Sequence, residues 1–251
     1  MTARWYETFF DELALDIWQD SRTEELTAEE ADTLDSLLAA PDGGRLLDLA
    51  CGNGRHAVAL ASRGYAMTGM DIAEANRARA SELAAAAGTS IEFETQDITR
   101  IDYDASFDAA YMWGNSFGYF PRNASVQFFG SVARALKPGG RFVMETAVSA
   151  ESILADFAPR TWVPISESMR VLLEGRYHPR ESRLETIYTT IRDGQVVGES
   201  TAQVWIYTSG ELAAMAESAG FEVLDMHGDL DGNPFELGDD QLILVLERTR
   251  T

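Results

Sequence analysis

The sequence predicts an α/β fold: a parallel sheet with helices on both faces, ended by an antiparallel pair and carrying an inserted antiparallel sheet. Three observations point there. Between Arg45 and Val148, short apolar strands alternate with helical stretches, the pattern of βαβ units. Beyond residue 150, strands follow one another across turns. Near the C-terminus, "FEVLDMHG" and "QLILVLER" are two strands with no helix between them.

Taken in order, residues 4–20 place Trp5, Phe9, Leu13 and Ile17 at helical spacing, with Tyr6, Phe10, Leu15 and Trp18 beside them. "LTAEEADTLDSLLAA" (26–40) is a second helix. Thr27 is its N-cap candidate, and Glu30 three residues later completes a capping box. Pro41-Asp42-Gly43-Gly44 is a turn. The alternation then runs strand "RLLDLAC", helix "GRHAVALASRG", strand "AMTGMDI", helix "AEANRARASELAAAAG" and strand "IEFETQDI". "FDAAYMWG" (107–114) is a fourth strand. "NASVQFFGSVARALKPGG" is a helix with a Gly-Gly stop, and "RFVMETAV" is a fifth strand. Residues 169–208 form a meander turning at Arg192-Asp193-Gly194-Gln195. "SGELAAMAESAG" is a helix with Ser209 as its cap, before the terminal strand pair.

Composition narrows the partners. The net charge is -21 across 251 residues, and Lys137 is the single lysine. A phosphate-neutralising face needs clustered Lys and Arg, so nucleic acid and anionic membranes are poor partners. A neutral or cationic small molecule is easier to accept. Hydrophobic residues make up 45% and leave enough for a sizeable core. The lone cysteine, Cys51, excludes an intramolecular disulfide and suits a reducing cytoplasm. The N-terminus is interrupted by acids, unlike a signal peptide. No apolar run approaches the ~20 residues that span a bilayer.

The chemistry concentrates at "ACGNG" (50–54). Ligands of doubly wound sheets bind where the first strand turns onto a helix N-terminus. Gly52 and Gly54 remove side chains, so backbone N–H groups can face a ligand. Asp71, 17 residues after Gly54, ends the second strand, where it can accept from ribose hydroxyls. Asp97 ends the third strand, where it can accept from an exocyclic adenine amine. Together the strand ends line an adenosine-shaped crevice. The competing explanation is that the glycines fit a tight turn and the acids cap helices.

"LDLACGNGRHAVALASRGYAMTGMDI", "FETQDI", "FDAAYMWGNSFGYF", "ALKPGGRFVMET" and "SAGFEV" resemble, in that order, the class I S-adenosylmethionine (SAM)-dependent methyltransferases, in particular the small-molecule branch of methyltransferase domains 25 and 11. The resemblance covers residues 45–148 and 209–248. The third glycine of a dinucleotide-dehydrogenase fingerprint is absent, since His56-Ala57 follow Gly54-Arg55. It implies a Rossmann-like seven-stranded sheet of order 3-2-1-4-5-7-6 with the last strand antiparallel. It divides the chain into an N-terminal helical lid (1–40), a SAM-binding domain (41–150 and 208–251) and a cap for acceptor binding or dimerisation (151–207).

The resemblance implies site roles. Ala50, Gly52 and Gly54 pass the methionine part of SAM, and Arg55 reaches its carboxylate or a nearby acid. Asp71 holds the ribose and Ile72 touches adenine. Asp97 and Ile98 read the adenine edge. Trp113, Gly114 and Asn115 flank the methionine portion, and Trp5, Tyr6 and Phe9 close over the cofactor. Phe117, Tyr119, Phe120, Glu145, Arg176, Trp205 and Tyr207 are acceptor-site candidates. Glu145, Tyr119 and His178 are candidate bases, although His178 before Pro179 also reads as a surface residue, and His56 reads as packing or capping. No metal is expected. The implied activity is methyl transfer to an N or O atom of a small molecule by a cytoplasmic enzyme, with a homodimer as an option. A dinucleotide-dependent oxidoreductase, a non-catalytic SAM-binding subunit and a SAM-bound enzyme of another reaction are the alternatives.

Overall fold

Leu46, Leu47 and Leu49 of strand β1 (Arg45–Leu49) are fully buried, because helices cover both faces of the sheet around them. A near-continuous apolar run is what a central parallel strand requires. The computed structural model describes residues 4–10 and 23–250. Helices α1 (Tyr6–Phe9) and α2 (Glu24–Leu38) precede β1. Then come α3 (Arg55–Ala61), β2 (Ala66–Asp71), α4 (Glu74–Ala87), β3 (Glu92–Thr95), β4 (Phe107–Met112), α5 (Arg122–Ala135) and β5 (Leu136–Thr146). A short helix, α6 (Ala150–Ile153), leads into β6 (Arg160–Pro164), β7 (Met169–His178), β8 (Arg183–Arg192) and β9 (Gln195–Trp205). Helix α7 (Ser209–Ser218), β10 (Phe221–His227) and β11 (Leu242–Arg248) close the chain.

The large sheet has the order β3-β2-β1-β4-β5-β11-β10, as expected. β11 runs antiparallel to both β5 and β10. One face is packed by Phe128, Phe129, Phe142 and Phe221, and the other by Leu34, Leu38, Leu60 and Tyr111. The inserted sheet, β6-β7-β8-β9, is antiparallel. Its hairpin turn, Asp193-Gly194, has φ of 50° and 77°. Positive φ at both central residues defines the type I′ turn that fits strand twist. The inserted sheet is tied to the large domain where Trp205 N donates to Gly118 O (2.7 Å). Ser209 N and Oγ, at the start of α7, also donate to the Glu151 carboxylate (3.0 and 2.7 Å).

Several expectations change. The aromatic N-terminal stretch is helical over Tyr6–Phe9, and Leu13, Leu15, Ile17 and Trp18 lie outside the described residues. The cap of α2 is Thr23, whose Oγ1 accepts from Leu26 N (3.1 Å). Thr27 sits inside the helix and returns its hydroxyl to Thr23 O (3.0 Å). Helix α5 stops at Ala135 rather than at Gly139-Gly140. Pro138 lacks an N–H and disfavours helix in the residue before it. Leu136 therefore already pairs with Phe107 in β5. The α7 cap is Thr208, not Ser209, and Glu211 completes a capping box there. β6 was not foreseen; its five residues are all exposed, so no alternation marks it.

Candidate active site

The turn after β1 puts three residues in the left-handed region: Ala50 (φ 57°), Gly52 (55°) and Gly54 (76°). The two glycines do different things. A Cβ on Gly52 would meet nothing within 4 Å, and Gly52 lines a cavity of about 830 Å³. A side chain there would occupy ligand space. A Cβ on Gly54 would lie 2.8 Å from Ala80 Cβ and 3.1 Å from Phe93. Gly54 therefore lets α3 approach α4 and β3, and it is not part of the cavity wall.

Asp71 ends β2 and ties the first two turns together. Gly52 N donates to its Oδ2 (2.9 Å), while Ala73 N (2.9 Å) and Asn76 Nδ2 (3.1 Å) donate to Oδ1. Burial raises the Asp71 pKa, and hydrogen bonds from Ala73, Asn76, Gly52 and Ile72 work against the rise. Asp97 follows β3, accepts from Thr99 N (2.8 Å) and from the Arg4 guanidinium, and lines the same cavity with Ile72 and Ile98.

After β4, Trp113, Gly114 and Asn115 line the cavity beside Glu145 of β5. Gly114 N and Asn115 N both donate to Glu145 Oε2, at 2.8 and 2.9 Å. Asn115 Oδ1 accepts from Ala147 N (2.9 Å) and the Thr146 hydroxyl (3.2 Å). Glu145 thus braces a left-handed loop, in which Gly114 and Asn115 have φ of 89° and 63°. Arg55 lines the cavity, and its guanidinium is engaged by an acid: it pairs with Glu30 and donates to Thr27 Oγ1 (3.0 Å). His56 Nε2 meets the same Glu30 at 3.0 Å. Burial acts to raise Glu30, but hydrogen bonds from His56 and Arg55 outweigh it and hold the pKa at about 2.

Beneath the turn lies a residue that the sequence reading passed over. Asp48 is buried in β1 and accepts from Tyr111 OH (2.8 Å). Burial pushes its pKa up to about 7, the Tyr111 bond opposes this, and the Asp71 charge adds to it. Stability from this group is complete below the unfolded carboxylate pKa of about 4 and is lost as pH rises through 7. Asp48→Asn should therefore flatten the fall in melting temperature between pH 5 and pH 8. The gain at pH 8 should be on the order of 2–4 kcal/mol. Melts with an unchanged pH slope would refute this.

The cap sheet supplies the far wall. Leu173 and Gly175 of β7, Leu184, Thr186 and Tyr188 of β8, and Ala202 and Val204 of β9 face the cavity. They share a face through the pairs Leu173↔Tyr188, Gly175↔Thr186, Thr186↔Ala202 and Leu184↔Val204. Arg176 and His178 have the opposite parity on β7 and lie off the cavity; Arg176 faces a separate shallow depression. Trp205 packs on the core, and Tyr207 is buried with its hydroxyl on Phe120 O (3.0 Å). Phe117 is core too, 5.5 Å from the Phe129 ring. Among the acceptor candidates, Tyr119, Phe120 and Glu145 do line the cavity.

Trp5, Tyr6 and Phe9 line it, together with Phe10, which the sequence placed only on the helix face. Their rings form a continuous set: Trp5–Tyr119 at 4.8 Å, Tyr6 stacked on Tyr119 at 5.9 Å, and Phe9–Tyr188 at 5.2 Å. Aromatic faces attract cations. The lining carboxylates, Asp71, Asp97, Glu145, Asp156 and Asp240, bias the cavity the same way. Its volume lies within the ~300–1,000 Å³ of small-molecule sites. A cationic nucleoside-bearing ligand such as SAM fits this set: a bare Gly52, carboxylates at two strand ends and an aromatic wall. Among the described residues, no group of His, Cys, Asp and Glu is placed to hold a metal, and no helix is long and apolar enough to cross a membrane.

Comparison with known proteins agrees with this geometry. A family model described as a methyltransferase domain matches residues 46–140. A putative methyltransferase of Geobacillus sp. (strain WCH70) is 30% identical over 144 residues, 57% of this chain and 55% of that protein. The chain spans about half the length of this and two further curated methyltransferases that it matches. The structure of the CcbJ methyltransferase from Streptomyces caelestis has a TM-score of 0.81 at 19% identity, covering 93% of this chain and 95% of its own. SAM-bound CalS10, an amino pentose methyltransferase from Micromonospora echinaspora, has a TM-score of 0.71 at 20% identity, covering 96% and 98%. These two show the shared fold. The family match identifies a methyltransferase domain within the chain over residues 46–140, and the motif order and sheet order around it resemble those of the class I SAM-dependent methyltransferases, a group that uses S-adenosylmethionine.

Proposed function

We propose that the protein transfers a methyl group from SAM to an N or O atom of a small molecule. One observation carries this reading: a single cavity runs from the ends of β1, β2, β3 and β4 to the inner face of the cap sheet. Cofactor and acceptor would share one enclosure. When bound, SAM supplies an electrophilic methyl group on a sulfonium that leaves as a neutral thioether. In-line transfer then asks the protein chiefly for proximity, orientation and a desolvated site.

The residues divide that work. Asp71 would hold the ribose, Asp97 and Ile98 the adenine edge, and Ile72 its face. Trp113, Gly114 and Asn115 would border the methionine portion, with Glu145 fixing their backbone. Trp5, Tyr6, Phe9, Phe10 and Tyr119 exclude water and present ring faces to positive charge. Glu145 has one oxygen committed to two N–H groups, so we assign it as a positioning residue ahead of a base. Lying off the cavity, His178 takes no part in this mechanism. Cytoplasmic location and a homodimer are part of the proposal. A nucleic-acid substrate fits poorly, given the net charge of -21.

The experiment is label transfer from methyl-labelled SAM across a panel of amines and alcohols. Label should appear on at least one acceptor, with S-adenosylhomocysteine (SAH) formed in equal amount. Formation of neither across the panel, by protein that binds SAM, would favour the non-catalytic subunit instead.

A further inference from the structure

On the acceptor side the wall is largely apolar, built from Val148, Phe157, Leu173, Leu184, Ala202 and Val204. Deeper polar groups are engaged within the protein. Asp71 holds Gly52 and Ala73, Asp97 holds Thr99 and Arg4, and Glu145 holds Gly114 and Asn115. Tyr188 differs. It projects from the middle of β8 into the cavity, with Phe9 edge-on at 5.2 Å and 77°. Among the described residues its hydroxyl has no hydrogen-bond partner. Burial raises its pKa, so the phenol keeps its proton at neutral pH and is a hydrogen-bonding group, not a base. A half-buried hydroxyl on the cavity wall without a protein partner is available to a polar group of a ligand.

The cavity as a whole selects by charge. Its two basic side chains, Arg55 and His56, both pair with Glu30. An anionic acceptor would meet Glu145, Asp156 and Asp240 with no free counter-charge, and like charges in a low-dielectric cleft repel strongly. A neutral or protonated group faces no such barrier.

We propose that Tyr188 is a positioning residue for the methyl acceptor, hydrogen-bonding a polar group of an uncharged or cationic molecule with an apolar body. This rests on the methyltransferase reading, and the test separates the two. In wild-type protein saturated with SAH, 4-phenylbutylamine and 4-phenylbutanol should bind at least about tenfold more tightly than 4-phenylbutyrate by calorimetry. Tyr188→Phe keeps the ring and its contact with Phe9. It should bind the amine and the alcohol about tenfold more weakly, the value of one hydrogen bond, with SAH affinity unchanged. No preference over the butyrate in wild type, or unchanged amine and alcohol affinity in Tyr188→Phe, would overturn the proposal. Wild-type protein that fails to bind SAH would overturn the methyltransferase reading itself, and this proposal with it.

Discussion

Asp71→Ala is expected to weaken SAH binding by at least about a hundredfold. Two effects add. The ribose would lose a charged acceptor, worth about 1.5–3 kcal/mol for each such hydrogen bond. Gly52 N, Ala73 N and Asn76 Nδ2 would also lose theirs, so the floor of the cavity would loosen. At about 1.4 kcal/mol per tenfold, two such bonds already reach the predicted loss. Asp71→Asn keeps one acceptor oxygen and should fall between the two proteins. Calorimetric titration checks this, with thermal melts of the unliganded variants to confirm folding. An Asp71→Ala affinity within about threefold of wild type would show that Asp71 only caps the turn.

Glu145 separates two roles that the sequence left joined. Glu145→Ala should cost at least about tenfold in SAH affinity, because Gly114 N and Asn115 N lose their shared acceptor. Glu145→Gln offers an amide oxygen in the same place and should stay within about threefold of wild type, both in affinity and in transfer at every pH. A residue that removed the acceptor's proton would behave differently. Its glutamine variant would be as defective as alanine, and the pH-rate profile would lose one limb. That outcome would restore Glu145 as the base.

Much of this site could be read in the chain because its signals are local. A strand breaking into Gly52-Asn53-Gly54 and acids at the next two strand ends follow from sequence spacing alone. The alternation of strands and helices similarly gives the sheet its parallel core. What escaped depends on distant partners. Nothing near Gly54 announces that Ala80 and Phe93 press on it, so it looked like Gly52. Asp48 reads as one more strand residue until Tyr111, on the neighbouring β4, supplies its hydrogen bond. In the cap sheet, strand parity decides which side chains face inward, and a meander without one fixed buried position leaves parity open. Arg176 and Trp205 were prominent by residue type; Gly175, Thr186 and Tyr188 hold the inward positions. Thr23 and Thr27 are each followed three residues later by a residue that suits a helix, and only the backbone shows which one starts it.

The methyltransferase-domain match makes cofactor choice the most direct test. Isothermal titration of the full chain with SAH, and separately with NAD+ and NADP+, measures it without any knowledge of the acceptor. The expected result is one SAH per chain at about micromolar affinity or tighter, with no measurable heat from either dinucleotide. Saturable binding of NAD+ or NADP+, with none of SAH, would contradict the account.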